Sequence, residues 1–193
     1  INSIPHNTYI EPFAGAAHVF FRKAPSKNEI LNDINGDLFN FYRVLKAHPQ
    51  ELFRNINETI GARELFTQWE RSDNTGLTDI QRAVRFYYCQ KWGYGGRCYR
   101  RTLSASPERP RRINYNTLET EINNACQRIR NTLIENSGWQ DCIKRFDRPG
   151  ILFYCDPPHY NCENYYGDGI FSQAEFKNLA EVFKKLRGDF IFS

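Results

Sequence analysis

The stretch TYIEPFAGAAHVFFRKAPSKNEILNDINGDLFNFYRVLKAHP, residues 8–49, decides the fold. Its β-branched and aromatic beginning, Thr8–Ile10, predicts a short strand, and a turn of small residues then leads into a helix over residues 18–23. A second strand is predicted at Glu29–Leu31, and from Asp37 onward apolar side chains recur at helical spacing. The order strand, tight turn, helix, strand, helix is typical of the opening of a parallel α/β sheet.

The last third of the chain continues this alternation. Helical periodicity is predicted over Asn116–Asn136, and the continuous apolar run Ile151–Cys155 predicts a strand that is covered on both faces. Ser172 and Glu175 match the S-x-x-E capping box that begins a helix. Because another strand is predicted at Phe190–Phe192, the whole pattern indicates an open α/β sheet.

Residues 51–115 have a different pattern, with helical stretches and a loop rich in glycine and arginine but no alternating strand signal. We expect them to form an inserted, mainly helical subdomain. The surrounding domain is predicted to consist of residues 1–50 and 116–193. The chain contains no methionine and stops inside an apparent strand, so we also expect a longer gene product in which this domain continues at both ends.

The net charge of +4, from 26 basic and 22 acidic residues, is concentrated in one segment. Between Arg97 and Arg112 six arginines stand against a single acid, a local charge of +5, so that all other residues together sum to −1. Such a segment is either a solvated loop or a contact for a polyanion, and the charge alone is compatible with both.

Several classes of protein are excluded by composition. No apolar run approaches the roughly 18 residues that span a membrane, and the beginning does not resemble a signal peptide, so we expect no membrane contact. The six cysteines form no C-x-x-C pair, and the four histidines cluster with no acid or cysteine at metal-ligand spacing. We therefore expect reduced cysteines, a cytoplasmic location and no bound metal.

Three predicted strand ends carry an acid or a turn of small residues, and ligands of such sheets bind at strand ends. The turn Glu11–Ala17 allows a ligand to approach the backbone closely. Asp33 lies 18 residues beyond Gly15, close to the spacing at which an acid accepts hydrogen bonds from a ribose. These two features are compatible with a nucleoside cofactor, but similar turns occur in many other folds.

The third strand end, Asp156-Pro157-Pro158, contains two prolines that cannot continue the strand and that fix the backbone rigidly. The turn is either purely structural or a device that aims the Asp156 carboxylate and the neighbouring carbonyls at the cleft. Acceptors held in this way can take both hydrogens of an exocyclic amino group and make its nitrogen more nucleophilic. An aromatic side chain next in line, here His159, would stack on the base.

Five motifs in a fixed order resemble those of the D12 class of DNA adenine-N6 methyltransferases, the Dam-like group. They are EPFAGAAHVFFRK (11–23), NDINGDL (32–38), KWGYGGRCYR (91–100), DPPHYNCENYYGDGIFS (156–172) and the terminal GDFIFS (188–193). The resemblance covers essentially the whole chain. It implies a Rossmann-like methyltransferase sheet with an inserted target-recognition subdomain, S-adenosylmethionine as cofactor and double-stranded DNA as partner.

The resemblance also implies roles for individual residues. Phe13 and Gly15 would line the cofactor pocket, Asp33 would bind the ribose hydroxyls, and Asp141 would lie near the adenine of the cofactor. The catalytic motif would comprise Asp156, which also borders the cofactor, with Pro157, Pro158 and His159. Asp156 and the Pro157 carbonyl would bind the N6 amino group of an adenine flipped out of the duplex. Phosphates and base edges would be contacted by Tyr94, Arg97, Arg100 and Arg101.

The sequence departs from the family pattern at three places. His159 replaces the usual tyrosine, Ala16 and Ala17 replace usual glycines, and the family's lysine-bearing segment does not precede Ile1. An alternative hypothesis is therefore a degenerate paralogue that binds DNA without methylating it. A nicotinamide-dependent dehydrogenase is a further alternative, but it explains neither the proline turn nor the basic segment. A monomer is the default expectation, and a cognate restriction endonuclease is a candidate partner.

Overall fold

The computed structural model describes residues 1, 3–94, 101–104, 112–159 and 171–193. The chain divides into two compact units, the first formed by Ile1–Phe39 with Arg130–Ser193 and the second by Asn40–Ile129. The predicted boundaries, after residue 50 and before residue 116, both lie inside the second unit. The assignment of target recognition to the inserted segment stays a prediction.

The first unit contains a five-stranded sheet in the order β3-β2-β1-β4-β5, in which every neighbouring pair is parallel. In chain order the strands are β1 Thr8–Glu11, β2 Asn28–Asn32, β3 Leu133–Glu135, β4 Ile151–Cys155 and β5 Asp189–Phe192. Eight helices accompany them within the described residues: α1 His18–Arg22, α2 Gly36–Ala47, α3 Pro49–Asn57, α4 Arg63–Arg71, α5 Asp79–Trp92, α6 Leu118–Ile129, α7 Trp139–Phe146 and α8 Gln173–Phe183. This architecture confirms the predicted Rossmann-like α/β class.

The core of this unit is built on the two central strands. Phe153 of β4 pairs with Ile10 of β1, and both are completely buried; Leu152, whose side chain points to the opposite face, is completely buried as well, which confirms that β4 is covered on both faces. Helices α7 and α8 contribute Ile143 and Leu179 to the same apolar cluster. Fully burying side chains of this size stabilises the fold by about 1.5–3 kcal/mol each.

The predicted helix over Asn116–Asn136 is wrong in its last third. Helix α6 ends at Ile129, and Leu133–Glu135 forms edge strand β3, in which Leu133 pairs with Ile30. Leu133 happens to continue the helical spacing, and a strand of three residues is too short to show its own period. Pairing with β2, which lies far away in the sequence, overrides the local pattern.

The predicted capping box at Ser172 and Glu175 is also wrong, since the Ser172 side chain makes no cap hydrogen bond to α8. Such a box forms instead at the start of α5, where Thr78 Oγ1 accepts from the amide of Gln81 and Gln81 Oε1 accepts from the amide of Thr78. The T-x-x-Q pattern at this position carries the signal in the sequence. Glu175 makes other contacts, which are described below.

The second unit is mainly helical, as predicted for the inserted segment. Helix α3 packs against α5 and α6, and α4 packs against α5. Arg85 of α5 donates to the carbonyl of Trp69 in the last turn of α4, 2.8 Å away, and to the carbonyls of Ser72 and Asp73 in the loop that follows, so it joins the end of α4 to α5. No helix in the described part of the chain is long and apolar enough to cross a membrane.

Candidate active site

The strand order places a topological switch point between β1 and β4. From β1 the chain proceeds outward through β2 to β3, and it then returns to the other side of β1 with β4 and β5. Connections diverge at the carboxyl ends of such a pair, and they leave a crevice there in which ligands bind. The three strand ends singled out in the sequence belong to β1, β2 and β4, so the fold brings them to one edge of the sheet.

The turn after β1 contains two residues in the left-handed region, Gly15 with φ 47° and Ala17 with φ 49°. Among the described residues, no atom beyond the chain neighbours lies within 4 Å of the place where a Cβ on Gly15 would stand, so glycine is favoured there by its backbone conformation and not by lack of space. Ala17 is buried and has a side chain in the same conformation, which costs roughly 1–2 kcal/mol.

The Asp33 carboxylate joins this turn to the end of β2. Its Oδ2 accepts a hydrogen bond from the Gly15 amide and its Oδ1 accepts one from the Asn35 amide, both at 2.9 Å. Burial raises the pKa of Asp33, and the backbone N–H bonds oppose that rise. Because each carboxylate oxygen has a second acceptor position, the group can still bind two hydroxyl donors of a ligand.

Asn32 ties three strand ends together. Its Nδ2 donates to the carbonyls of Pro12 and Ser137, both at 3.0 Å, and its Oδ1 accepts from the amide and the hydroxyl of Ser137. The side chain is 0% exposed. The turn after β1 and the loop after β3 are thus held by a single buried amide of β2.

Glu11, the last residue of β1, is 2% exposed. Its Oε1 accepts hydrogen bonds from the Tyr9 hydroxyl at 2.8 Å and from the Phe20 amide at 2.9 Å. Burial raises the pKa of Glu11 to about 7; the two hydrogen bonds and Lys23 oppose this rise, and the charge of Asp156 adds to it. This carboxyl group therefore fixes the beginning of α1, and its pKa depends on the charge of Asp156 at the end of β4.

The turn after β4 is anchored by its prolines. Pro157 and Pro158 are buried, whereas Asp156 and His159 are exposed beside them. Partial burial of its carboxyl group nevertheless raises the pKa of Asp156, and the positive charge of His159 opposes the rise. The turn thus presents an acceptor and an aromatic ring together at the switch point.

Phe13 and Asp141 lie on different parts of this edge. Phe13 is half-buried, and its ring centroid lies 6.0 Å from that of Trp139 and 5.9 Å from that of Phe171. Asp141 is exposed in the first turn of α7, the helix that follows β3. The loop before this helix contacts the end of β2, where Asn136 Nδ2 donates to the Asp33 carbonyl at 2.7 Å.

The sequence over residues 1–192 matches the family model of the D12 class N6 adenine-specific DNA methyltransferases. The chain belongs to this family. A DNA adenine methylase of Salmonella typhi is 29% identical over 189 residues, which cover 92% of this chain and 66% of the relative. A DNA adenine methylase of Escherichia coli K12 is 30% identical over 156 residues, covering 78% of this chain and 55% of the relative.

A third relative is the Type II methyltransferase M1.LlaDCHI of Lactococcus lactis, which is 26% identical over 204 residues, or 97% of this chain and 70% of the relative. The chain spans 66% of the length of the Salmonella relative and 55% of that of the Escherichia relative. The family membership agrees with the resemblance that the five motifs indicate.

In this D12-class chain the residues predicted to contact DNA belong to the second unit. Tyr94 is exposed, and its amide donates to the Thr102 carbonyl at 2.9 Å. Arg101 is 11% exposed in its side chain and is paired with Glu70, whose carboxylate accepts from both the guanidinium and the amide of Arg101 at 2.9 Å. A DNA contact by Arg101 stays a prediction, and Arg97 and Arg100 lie outside the described residues.

The second unit nevertheless carries the positive charge of the chain. It contains fifteen lysines and arginines against nine acids, a net charge of +6, so that the first unit with its strand-end carboxylates has −2. The segment Arg97–Arg112 alone contributes +5 of this charge, and the rest of the unit contributes +1. A segment of this sign attracts a polyanion.

The sequence alone did not identify Asn32 as a residue of the candidate site. It placed Glu11 in the turn after β1 but gave it no role. Both are polar side chains at the last position of a strand that is otherwise buried. A polar group at such a position requires a hydrogen-bond partner, and this is the signal that could have identified them. Their partners, however, are set by the tertiary fold.

Proposed function

We propose that this protein transfers a methyl group from S-adenosylmethionine to the N6 amino group of an adenine in double-stranded DNA. The observation that carries this proposal is the meeting of the Gly15–Asp33 turn and Asp156 at the switch point of a D12-class sheet. The Gly15–Asp33 turn supplies acceptors for a nucleoside, and Asp156 supplies an acceptor for an amino group.

The residues at the ends of β1 and β2 fit the cofactor. Asp33 has free acceptor positions for the two ribose hydroxyls. The side chain of Ile34 is 53% exposed beside it and offers an apolar surface to the adenine ring. Phe13 lines the same turn, and we place Asp141 near the adenine. When bound, the cofactor supplies a methyl group that is already activated on a sulfonium.

Asp156 and the Pro157 carbonyl would each accept one hydrogen of the target amino group. Accepting both hydrogens keeps the lone pair of the nitrogen out of conjugation with the ring, so that it is available for attack. The adenine must leave the duplex to reach this turn, and His159 would stack on the extruded base. The protein then acts by positioning and polarisation, with Pro158 holding the turn rigid.

DNA would be bound through the second unit, which has a net charge of +6. Tyr94 is exposed and suited to contact bases, and Arg97, Arg100 and Arg101 are the proposed phosphate and base-edge contacts. A DNA substrate implies action in the cytoplasm. As one relative is named a Type II methyltransferase, a cognate restriction endonuclease is a proposed partner.

The test is incubation of the full-length protein with methyl-labelled S-adenosylmethionine and unmethylated genomic DNA, followed by digestion to nucleosides. We expect the label in N6-methyladenosine. If no label is found although DNA and cofactor both bind, the protein is a DNA-binding member of the class that does not transfer methyl groups. Activity that appears only in His159→Tyr would identify His159 as the cause.

A further inference from the structure

The rings of Phe13, Trp139 and Phe171 form a cluster beneath the turn after β1, and we call it the aromatic wall. Phe13 is half-buried and lies against both other rings at 5.9–6.0 Å between centroids. Trp139 and Phe171 are buried. The position of Phe13, and with it one side of the proposed cofactor pocket, therefore depends on where Trp139 is held.

The indole N–H of Trp139 is bound by the carboxylate of Glu175. Glu175 Oε2 accepts hydrogen bonds from Trp139 Nε1 at 3.0 Å and from Gln140 Nε2 at 2.6 Å. The other oxygen, Oε1, accepts from Asn178 Nδ2 at 3.2 Å. Trp139 and Gln140 are consecutive residues in the first turn of α7, where a negative charge is also favourable to the helix dipole.

We propose that Glu175 is a positioning residue for the cofactor pocket, because its carboxylate fixes Trp139 and thereby the aromatic wall against which Phe13 packs. This inference rests on the proposed function. Glu175 acts through Trp139 and does not itself contact the cofactor. The pocket is preorganised by such a contact, and ligand affinity falls when preorganisation is lost.

A purely structural role of Glu175 would differ in its effect on cofactor affinity. If Glu175 only joined α8 to α7, its loss would lower the stability of the protein and leave cofactor affinity unchanged. If it positions the aromatic wall, cofactor affinity falls together with a change at the indole N–H of Trp139. A positioning role therefore requires weaker cofactor binding and a shifted Trp139 indole signal in the same variant.

The experiment uses the full-length protein and the variants Glu175→Ala, Glu175→Gln and Glu181→Ala. The glutamine keeps an oxygen acceptor, and Glu181 is a matched control because it is an exposed acid of the same helix that pairs only with Lys184 among the contacts described. Affinity for S-adenosylmethionine is measured by calorimetry. The Trp139 indole signal is followed by 15N NMR and assigned as the signal missing from Trp139→Phe.

We expect Glu175→Ala to shift the Trp139 indole signal and to weaken binding of S-adenosylmethionine by about fivefold to tenfold. Glu175→Gln and Glu181→Ala should remain within about twofold of the wild type. If Glu175→Ala does not fold, Glu175→Asp carries the test, since it keeps the charge but shortens the side chain by one methylene; it should shift the Trp139 indole signal and weaken binding by about threefold.

A shifted indole signal with unchanged cofactor affinity overturns the inference and leaves the proposed function intact. An unshifted signal overturns it as well, because Trp139 would not depend on Glu175. A wild-type protein that binds no S-adenosylmethionine overturns the proposed function, and the inference falls with it.

Discussion

The amide of Gly15 donates a 2.9 Å hydrogen bond to the carboxylate of Asp33, which lies 18 residues further along the chain. The bond joins the carboxyl ends of β1 and β2, so that a residue predicted to bind a ribose also shapes the turn that faces it. This double role explains why the two sequence signals, a small-residue turn and a later acid, occur together. A substitution of Asp33 therefore changes the turn and the ligand site together.

Asp33→Ala should weaken binding of S-adenosylmethionine by more than tenfold, because it removes the acceptors for the ribose and releases the Gly15 amide. Calorimetric titration of the cofactor measures this. Asp189→Ala is the control, since Asp189 is an exposed acid on strand β5. Equal affinities for Asp33→Ala and the wild type would show that the cofactor binds elsewhere.

Ala17→Gly should stabilise the protein by about 0.5–1 kcal/mol, because the left-handed conformation at φ 49° is unfavourable for a residue with a Cβ. The lost methyl contacts and the greater freedom of the unfolded chain offset part of the gain. Urea unfolding gives the free energy.

Ala16→Gly is the matched control for that measurement, since Ala16 is exposed and has no positive φ. It should lower the free energy of unfolding or leave it unchanged. If both glycine variants change stability in the same direction, conformational strain at Ala17 is not the reason.

The pKa of Glu11, raised by burial to about 7, predicts a pH dependence of stability. A carboxyl group whose pKa is higher in the folded state binds more protons there than in the unfolded state, so stability is lost as pH rises from about 4.5 to about 7. Glu11→Gln lacks this loss. Relative to the wild type it should gain about 3 kcal/mol in free energy of unfolding between pH 4 and pH 8.

Urea unfolding of both proteins across that range measures the difference. Glu181→Gln is the control, because Glu181 is exposed and the free energy of unfolding of this variant should depend on pH as that of the wild type does. If Glu11→Gln also shows the pH dependence of the wild type, the pKa of Glu11 is not raised in the folded protein.

The ion pair between Arg101 and Glu70 predicts that the first function of Arg101 is structural. Arg101→Ala keeps the backbone amide bond but leaves a largely buried carboxylate without its guanidinium partner, and it should lower the free energy of unfolding by about 2 kcal/mol. As a proposed phosphate contact, Arg101 should also contribute about 1 to the slope of log K against log salt, and Arg101→Ala should reduce the slope by that amount. An unchanged slope would show that Arg101 contacts no phosphate and that its role is structural alone.

The features predicted from the sequence are those with local causes. The apolar run of β4 and the proline turn after it, and the small-residue turn after β1, are continuous in the chain. Their placement at adjacent strands follows from the parallel sheet. Asp33 could be identified by its distance from Gly15 because that spacing reflects one strand-turn-helix-strand unit.

The features that were missed or wrong depend on residues far apart in the chain. Strand β3 exists because it pairs with β2, and Asn32 joins Pro12 to Ser137, which lies 105 residues further on. Glu175 has the local pattern of a capping box, but the carboxylate is engaged by Trp139. Tertiary partners outcompete local hydrogen bonds in such cases, and a local pattern does not contain them.

The most direct test of the central claim is the single-turnover rate of methyl transfer to DNA by the wild type and by Asp156→Ala, with DNA and cofactor binding measured on the same samples. We predict that the wild type methylates adenine, and that Asp156→Ala loses transfer by about a hundredfold to a thousandfold, as is typical when a polarising group is removed. DNA affinity should stay within about threefold, because phosphate contacts dominate it. Retained transfer in Asp156→Ala would contradict the assignment of Asp156 to the target amino group.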